Sequence, residues 1–247
     1  MMNPAEFANI AAAEKDFWWY RGMREILFRL LDPIASANQH VLEAGCGTGY
    51  FAKLLEGRYG WTIFPLDLRP EGLEYARAHA VGRLTQGSVL ALPFKDALFD
   101  ALLSIDVIPH LERGRERDAL AEFARVLKPG GLIVLRAPAF DFLRSRHSEF
   151  VHEKQRFTKG RLVTSIEQAG FRVERATYAN ALLFPIALFK FRIWEPLTRA
   201  RAGSGVQPVR RWLNRLLYLP LAMEAASIAR GATFPIGQSL VVIARKK

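Results

Sequence analysis

Short apolar runs rich in β-branched and aromatic residues alternate with amphipathic stretches along most of the chain. The amphipathic stretches predict helices at about 49–58, 70–79, 115–127 and 158–169. The apolar runs predict seven strands, at His40–Glu43, Thr62–Leu66, Arg83–Gln86, Ala101–Ile105, Leu132–Arg136, Phe171–Tyr178 and Ser239–Ala244. This repeated alternation predicts a doubly wound α/β domain built on a mostly parallel sheet.

Two segments lie outside the alternation. Residues 1–38 contain an aromatic cluster followed by the amphipathic stretch MREILFRLL, and we interpret them as an N-terminal helical lid. Residues 180–237 are rich in Leu, Phe, Arg and Pro. They are too long for a hairpin loop and too apolar for a linker, so they predict a helical cap inserted before the last strand. The core would then comprise residues 39–179 and 238–247.

Part of the inserted segment has the pattern of a basic amphipathic helix. Apolar and basic positions interleave there at helical spacing: Val209, Trp212, Leu213, Leu216 and Leu217 with Arg210, Arg211 and Arg215. Such a helix can dock on an anionic membrane, roof a pocket for a lipid-like substrate, or cover the protein's own core. The sequence leaves these three interpretations open.

Charge is distributed unevenly along the 247 residues, whose net charge is +11. Residues 1–150 hold 18 basic and 19 acidic residues, whereas residues 151–247 hold 17 and 5. This asymmetry indicates either an anionic partner or a solvated basic surface. Phospholipid headgroups, a phosphorylated substrate and nucleic acid are the candidate partners.

Composition excludes several classes of protein. Hydrophobic residues make up 50% of the chain, which is enough for a full core and excludes disordered and fibrous proteins. The single cysteine, Cys46, cannot form an internal disulfide or a cysteine-based zinc site, and it is compatible with a reducing cytoplasm. Glu6 and Glu14 stand where a signal peptide needs an unbroken apolar run, so we expect no export. Prolines and charges interrupt the apolar stretches 181–194 and 212–229, so we expect no membrane-spanning helix.

The most specific signal is HVLEAGCGTGY, residues 40–50, in which an apolar strand and an acid precede three glycines at alternate positions. Such a loop lets the backbone approach a ligand closely. A dinucleotide fingerprint would need a glycine at Tyr50, and no Gly-Lys-Ser/Thr follows, so neither a pyrophosphate site nor a P-loop is indicated. Asp67 ends the next predicted strand, where a carboxylate can accept from both hydroxyls of a ribose. The pattern indicates a nucleoside without a diphosphate.

In these motifs the chain resembles the class I S-adenosylmethionine-dependent methyltransferases, especially the small-molecule branch called type 11. The resemblance covers roughly Val41 to Tyr178 and rests on VLEAGCGTGYF, PLDLRP, QGSVLALPFKDALFDALLSIDVIPHL and EFARVLKPGGLIVL, in that order. It implies a seven-stranded sheet whose last strand, QSLVVIA, is antiparallel and inserted beside the sixth. It also implies S-adenosylmethionine as cofactor, with S-adenosylhomocysteine as product, bound over the carboxyl ends of the first strands.

The resemblance assigns roles in cofactor binding to individual residues. Asp67 would hold the ribose, and Leu68 and Val89 would sandwich the adenine. Ser88 stands where the family often has an acid, and it would accept from the adenine amino group. The residues implied around the methionine part are Glu43, Gly45, Cys46, Gly47, Gly49, Ile105 and Asp106.

Transfer of a methyl group from a sulfonium needs alignment of a nucleophile, exclusion of water and, where required, removal of a proton. Histidine suits the last task because its pKa lies near neutrality, so His110 and His152 are the candidate bases, with His147 as the alternative to His152. A wall of the methyl pocket is the alternative role for His110. Candidates on the substrate side are Trp18, Trp19, Tyr20, Arg21, His147 and Arg156, although an aromatic cluster also suits core packing. We expect no metal.

The leading hypothesis is a cytoplasmic enzyme that methylates oxygen on a small-molecule, lipid-linked or glycan-type acceptor, with or without peripheral contact to anionic membrane. An RNA or protein methyltransferase is the first alternative. The Asn/Asp-Pro-Pro-aromatic motif of amino-group methyltransferases is absent after the fourth strand, where SIDVIPH stands, and this argues against nucleic acid. A noncatalytic cofactor-binding or membrane-associated scaffold is the second alternative. An NAD enzyme is disfavoured by Tyr50.

Overall fold

A seven-stranded sheet forms the centre of the computed structural model, which describes residues 2–79, 81–198, 202–207 and 209–247. Its strands are β1 His40–Ala44, β2 Thr62–Asp67, β3 Thr85–Gln86, β4 Phe99–Ile105, β5 Leu127–Pro138, β6 Phe171–Ala179 and β7 Ser239–Lys246. The order across the sheet is β3-β2-β1-β4-β5-β7-β6, and β7 runs antiparallel to both of its neighbours while the remaining pairs are parallel. The predicted fold class is therefore confirmed, including the position of the last strand.

The helices follow the predicted alternation. They are α1 Ala5–Ala13, α2 Trp18–Leu31, α3 Tyr50–Tyr59, α4 Pro70–Ala78, α5 Glu116–Val126, α6 Arg146–Phe150, α7 Lys159–Gln168, α8 Phe184–Phe189, α9 Glu195–Leu197 and α10 Arg211–Ala229. A π-helical turn, Lys190–Trp194, joins α8 to α9, and short 3₁₀ turns lie at Ile108–His110 and Asp141–Leu143. Within the predicted insertion, residues 199–201 and 208 lie outside the described residues.

Every strand differs from its predicted bounds at one end or both, and two of these differences have a clear structural cause. β3 begins at Thr85 because Arg83 has a positive φ of 55°, which does not continue a strand. β5 begins at Leu127, although Gly130 and Gly131 suggested a later start. Leu127 pairs with Phe99, and the register then shifts before Leu132 pairs with Ala101, so the glycines lie in an irregular part of the strand.

Helices cover both faces of the sheet. Val41 and Leu103 face a core that includes residues of α2, α3 and α10, whereas the adjacent Leu42 and Leu102 face residues of α5 and α7. This follows from the alternation of side chains along a strand. Because both faces of the sheet are covered, most residues of the central strands are apolar, and their sequences show no regular polar alternation.

The N-terminal helix α2 and the inserted helix α10 pack against each other. The Asn214 side chain accepts from the backbone N–H of Trp18 (2.8 Å) and donates to the carbonyl of Asp16 (2.8 Å). The guanidinium of Arg21 lies 4.3 Å from the centre of the Tyr218 ring. These contacts join two segments that are far apart in sequence, on the same face of the sheet as α3.

Candidate active site

A cavity of about 870 Å³ lies at the carboxyl ends of β1, β2, β4 and β5. Cavities of roughly 300–1,000 Å³ suit small-molecule ligands. Its wall includes most of the residues that the sequence predicts for the site: Trp18, Trp19, Tyr20, Glu43, Gly45, Cys46, Gly47, Asp67, Leu68, Ser88, Val89, Ile105, Asp106, His110, His147 and Arg156. Parallel strands bring these residues together because their carboxyl ends meet at one edge of the sheet.

Three predicted residues lie outside the wall of this cavity, as the described residues define it. Gly49 precedes α3 with a φ of +72°, and a Cβ on it would come within 2.6 Å of the Ala76 Cβ, so this glycine allows α3 to pack on α4. Arg21 packs on Tyr218 instead. The side chain of His152 is exposed, but its backbone hydrogen-bonds the imidazole of His110.

Backbone and carboxylate groups fix the glycine loop after β1. The N–H groups of Gly45 and Cys46 both donate to the carbonyl of Leu66, at 2.7 and 2.9 Å. Asp67 then accepts from the N–H of Gly47 at Oδ2 (2.8 Å) and from that of Arg69 at Oδ1 (2.9 Å). Burial raises the pKa of Asp67 even though these donors oppose the shift. Each carboxylate oxygen keeps a lone pair for a ligand hydroxyl.

Glu43 is a buried acid at the end of β1. Its Oε2 lies in the wall region without a hydrogen-bond partner among the described residues. Burial, with a smaller contribution from the charge of Asp67, raises the pKa of Glu43 well above its usual value. An acid without a donor beside a cavity suits a ligand that brings its own positive charge, and the ammonium of the methionyl group of S-adenosylmethionine is such a group.

The predicted adenine side of the cavity contains a buried and an exposed apolar residue. Val89 is 7% exposed, whereas Leu68 is 45% exposed. The Oγ of Ser88 accepts from the backbone N–H of Leu90 at 3.1 Å, which orients this hydroxyl within its turn. A planar ring between Leu68 and Val89 would cover apolar surface on both.

On the other side of the cavity an ion pair lies at the carboxyl ends of β4 and β5. The guanidinium of Arg136 binds both carboxylate oxygens of Asp106, and it lies 4.9 Å from the centre of the Trp19 ring. Trp19 and Tyr20 meet edge to face at 5.1 Å. Burial raises the pKa of Tyr20, so its hydroxyl stays protonated at neutral pH. This part of the cavity therefore combines aromatic rings with one fixed ion pair.

His110 lies in the 3₁₀ turn after β4 and contributes to the cavity wall. Burial lowers the pKa of His110 to about 4, against a smaller opposing effect of Asp106. The imidazole is therefore neutral at pH 7. Its Nδ1 is buried, and no described residue hydrogen-bonds it. The ring donates its N–H to the backbone of His152. The other nitrogen, Nδ1, therefore carries the lone pair that can accept a proton.

The predicted substrate residues His147 and Arg156 are held by neighbouring protein groups. The Nε of Arg156 donates to Glu153 (2.7 Å), and another guanidinium nitrogen donates to the Ser148 hydroxyl (2.8 Å). The Nδ1 of His147 accepts from the N–H of Gly205 at 2.9 Å. These bonds fix the cavity wall and join it to residues 203–207 of the inserted segment.

The wall also contains residues that were not identified from the sequence, and three charged ones are buried: Arg136, Glu6 and Glu14. Arg136 follows the apolar run LIVL, and a charged residue at the end of an otherwise apolar strand was a usable signal. Glu6 and Glu14 lie on the otherwise apolar stretch AEFANIAAAE, yet both are buried. Glu6 accepts from Ser204 at 3.0 Å, and Glu14 accepts from the Thr48 hydroxyl. No local pattern identifies such partners.

Comparison with known proteins finds similarity to methyltransferases. A family model described as a methyltransferase domain matches residues 42–135. The malonyl-(acyl-carrier protein) O-methyltransferase of Serratia marcescens is 29% identical over 223 residues, which cover 88% of this chain and 85% of that protein. A protein of Mycolicibacterium smegmatis named "Probable S-adenosylmethionine-dependent methyltransferase" is 31% identical over 173 residues, or 66% of this chain and 62% of that protein.

A solved structure shows the same fold. The SAM-dependent methyltransferase of Archaeoglobus fulgidus matches with a TM-score of 0.59 and 18% identity, covering 94% of this chain and 97% of that one. The chain spans about half to two thirds of the length of the first curated relatives that it matches.

Fold, motifs and relatives together define a methyltransferase domain with a Rossmann-like sheet. This domain is of the class I S-adenosylmethionine-dependent type, so the predicted family and the predicted cofactor are confirmed for it.

Proposed function

We propose that this protein transfers the methyl group of S-adenosylmethionine to a hydroxyl oxygen of a small-molecule acceptor of the lipid or glycan type. The position of His110 carries the proposal, because one cavity contains both the glycine loop after β1 and this neutral imidazole after β4. A hydroxyl oxygen must lose its proton when it is methylated, and Nδ1 of His110 can accept that proton. The name of the Serratia relative supports oxygen as the methylated atom.

Residues around the glycine loop would hold the cofactor, which supplies a methyl group already activated by its sulfonium. We assign the ribose hydroxyls to Asp67 and the methionyl ammonium to Glu43, since both carboxyl groups line the cavity and retain acceptor capacity. Leu68 and Val89 would contact the adenine. These residues bind and orient, and alignment of the acceptor with the methyl group is the main requirement of the reaction.

The aromatic part of the cavity would exclude water and position the acceptor. Trp19 is fixed between Tyr20 and the guanidinium of Arg136. Rigid rings of this kind cover the apolar part of an acceptor and leave little room for solvent beside the reacting oxygen.

His110 would act as the general base. Its lone pair is available at pH 7 because burial keeps its pKa low. Proton transfer creates an imidazolium, and the negative charge of Asp106 favours this cation since it raises the pKa of His110. The base is therefore unprotonated before the reaction and electrostatically supported during it.

The test is methyl transfer from labelled S-adenosylmethionine to alkyl glycosides and hydroxylated lipids. His110→Gln should lower turnover by roughly 10²–10⁴-fold and leave cofactor affinity within a few-fold of the wild type. His40→Gln is the matched control, because His40 is exposed and lies at the opposite end of β1. With saturating S-adenosylmethionine, the wild-type kcat/KM for the acceptor should fall as the pH approaches about 4, where His110 becomes protonated.

Two results would contradict this proposal. Retained turnover in His110→Gln would show that His110 is not the general base. Label incorporated into RNA or protein, with none in hydroxylated acceptors, would assign the enzyme to the alternative substrate class.

A further inference from the structure

The helix pair α8–α9 exposes a row of large apolar side chains. Leu182, Ile186, Phe189, Ile193, Trp194 and Leu197 recur at helical spacing and are between 48% and 75% exposed. On the opposite side of the same segment, Phe184 and Ala187 are buried. One side of the segment is thus anchored to the protein, while the other presents apolar surface to the outside.

Helix α10 repeats this arrangement. Trp212, Leu216, Leu219 and Met223 lie on one side of the helix, and each is at least 53% exposed. Its other side contributes Leu221, Ala225 and Ile228 to the core. The helix is therefore apolar on two sides, and only one of them is used in packing. Exposed apolar residues concentrated in this way mark an interaction surface.

Positive charge surrounds both rows. Residues 180–237 contain eight basic and two acidic residues. The exposed cations beside the rows are Lys190, Arg192, Arg210, Arg211 and Arg215, and none of them forms an ion pair with another described residue.

Neither acidic residue balances this charge. Glu224 is buried, accepts from the N–H of Leu182 at 2.7 Å, and has a pKa raised by burial. Glu195 accepts from the backbone N–H of Arg146 at 2.9 Å. The segment that carries the apolar rows therefore has an excess of positive charge, eight basic residues against two acidic ones.

The apolar row of α8–α9 adjoins the active-site cavity. Lys190, Phe191 and Glu195 contribute to the cavity wall. The exposed Ile193 and Trp194 lie on the same short segment, between Phe191 and Glu195. A surface that docked on this row would therefore lie beside an edge of the cavity.

We propose that α8–α9 and α10 form a docking surface for an anionic lipid bilayer, which brings the edge of the active-site cavity to the membrane. Leu, Ile and Trp side chains enter the region between headgroups and acyl chains, and the arginines bind anionic headgroups. No helix among residues 2–79, 81–198, 202–207 and 209–247 is long and apolar enough to cross a membrane, so this docking is peripheral. A second copy of the chain fits the surface less well, because its own cations would face these cations.

This proposal rests on the proposed function in one respect: an amphiphilic acceptor would explain why the enzyme contacts a membrane. It is tested without that reaction, by flotation of the full chain with vesicles of phosphatidylcholine alone and of phosphatidylcholine mixed with phosphatidylglycerol. We expect binding to the mixed vesicles and little binding to phosphatidylcholine alone. Titration with S-adenosylmethionine, carried out on every variant, reports separately on the fold and the cofactor site.

Two double variants with matched controls test the two parts of the surface. Arg192→Glu with Arg215→Glu should weaken binding to the mixed vesicles at least about twentyfold, since each arginine near an anionic surface contributes about a factor of five. Its control, Arg117→Glu with Arg172→Glu, makes the same change in net charge at exposed positions on α5 and β6. Phe189→Ser with Trp212→Ser should weaken binding comparably, whereas Ile236→Ser, at an exposed site outside both helices, should not.

Three outcomes would overturn the proposal. One is failure of the wild type to bind mixed vesicles while it binds S-adenosylmethionine, which leaves the proposed methyl transfer intact. Another is a charge control that loses as much vesicle binding as the test variant, because binding would then depend on net charge and not on this surface. The third is a wild-type dimer that Phe189→Ser with Trp212→Ser converts to a monomer, since the surface would then belong to a second copy.

Discussion

Asp67 combines two tasks at a single carboxylate. It holds the backbone N–H groups of Gly47 and Arg69, and it faces the cavity where a ribose would lie. We predict that Asp67→Asn lowers the affinity for S-adenosylmethionine at least about a hundredfold, because hydrogen bonds to a charged acceptor contribute about 1.5–3 kcal/mol each and two are affected. Isothermal titration measures the change.

The matched control for Asp67 is Asp100→Asn. Asp100 also binds a backbone N–H, that of His40, and it also lies on the sheet, but at the opposite end of β4. Its replacement should leave cofactor affinity unchanged. Equal affinities in wild type and Asp67→Asn would remove the ribose assignment.

Glu43 should couple cofactor binding to pH. Burial raises the pKa of Glu43, so the free protein holds a proton on this acid to higher pH than usual, whereas a bound ammonium favours the carboxylate and lowers that pKa. Binding should therefore release a proton, and affinity should rise with pH through the raised pKa of Glu43. Titration in buffers of different ionisation enthalpy measures the proton. A release that persists in Glu43→Gln would show that another group supplies it.

At the scale of elements, close packing of α2 on α10 depends on one glycine. A Cβ on Gly22 would lie 2.5 Å from the Leu221 Cβ, so Gly22→Ala must push the helices apart. We expect a loss of about 1–3 kcal/mol in the free energy of unfolding. This loss would appear although alanine favours a helix by about 1 kcal/mol over glycine.

Gly57→Ala provides the control with the opposite sign. Gly57 lies inside α3, and its added Cβ would meet no described atom within 4 Å. Helix propensity then acts alone, and stability should rise by up to about 1 kcal/mol. Denaturant unfolding of both variants compares them directly. If Gly22→Ala were as stable as Gly57→Ala, α2 and α10 would not be in the close contact described.

Elements and site residues were predictable where their signal is local. The glycine loop, Asp67 and Asp106 lie in motifs that end predicted strands, and parallel strands bring such ends together. The early start of β5 was missed because it depends on the pairing of Leu127 with Phe99, which no local pattern shows. The contact of Glu6 with Ser204 spans 198 positions. Such contacts follow from the packing of whole segments and are invisible in any one motif.

Across the whole molecule, one cavity joins three parts of the chain. Residues of α1, the loops after the strands, and residues 203–207 all contribute to its wall. Glu6 of α1 meets Ser204, and His147 of α6 meets Gly205, so both helices contact the inserted segment at this wall. A ligand that fills the cavity must therefore affect the opening of segments far from the glycine loop.

Hydrogen exchange measures this coupling. A ligand at a hundred times its dissociation constant stabilises the closed arrangement by about 2.7 kcal/mol. Amides that exchange only when the protein opens and releases the ligand should therefore exchange about a hundredfold more slowly. With S-adenosylmethionine we expect slower exchange in α1 and in residues 203–207 as well as in residues 45–49. Amides of α7, which packs on the far face of the sheet from α2, are the internal control. Protection confined to residues 45–49 would show that the two outer segments open independently of the cofactor site.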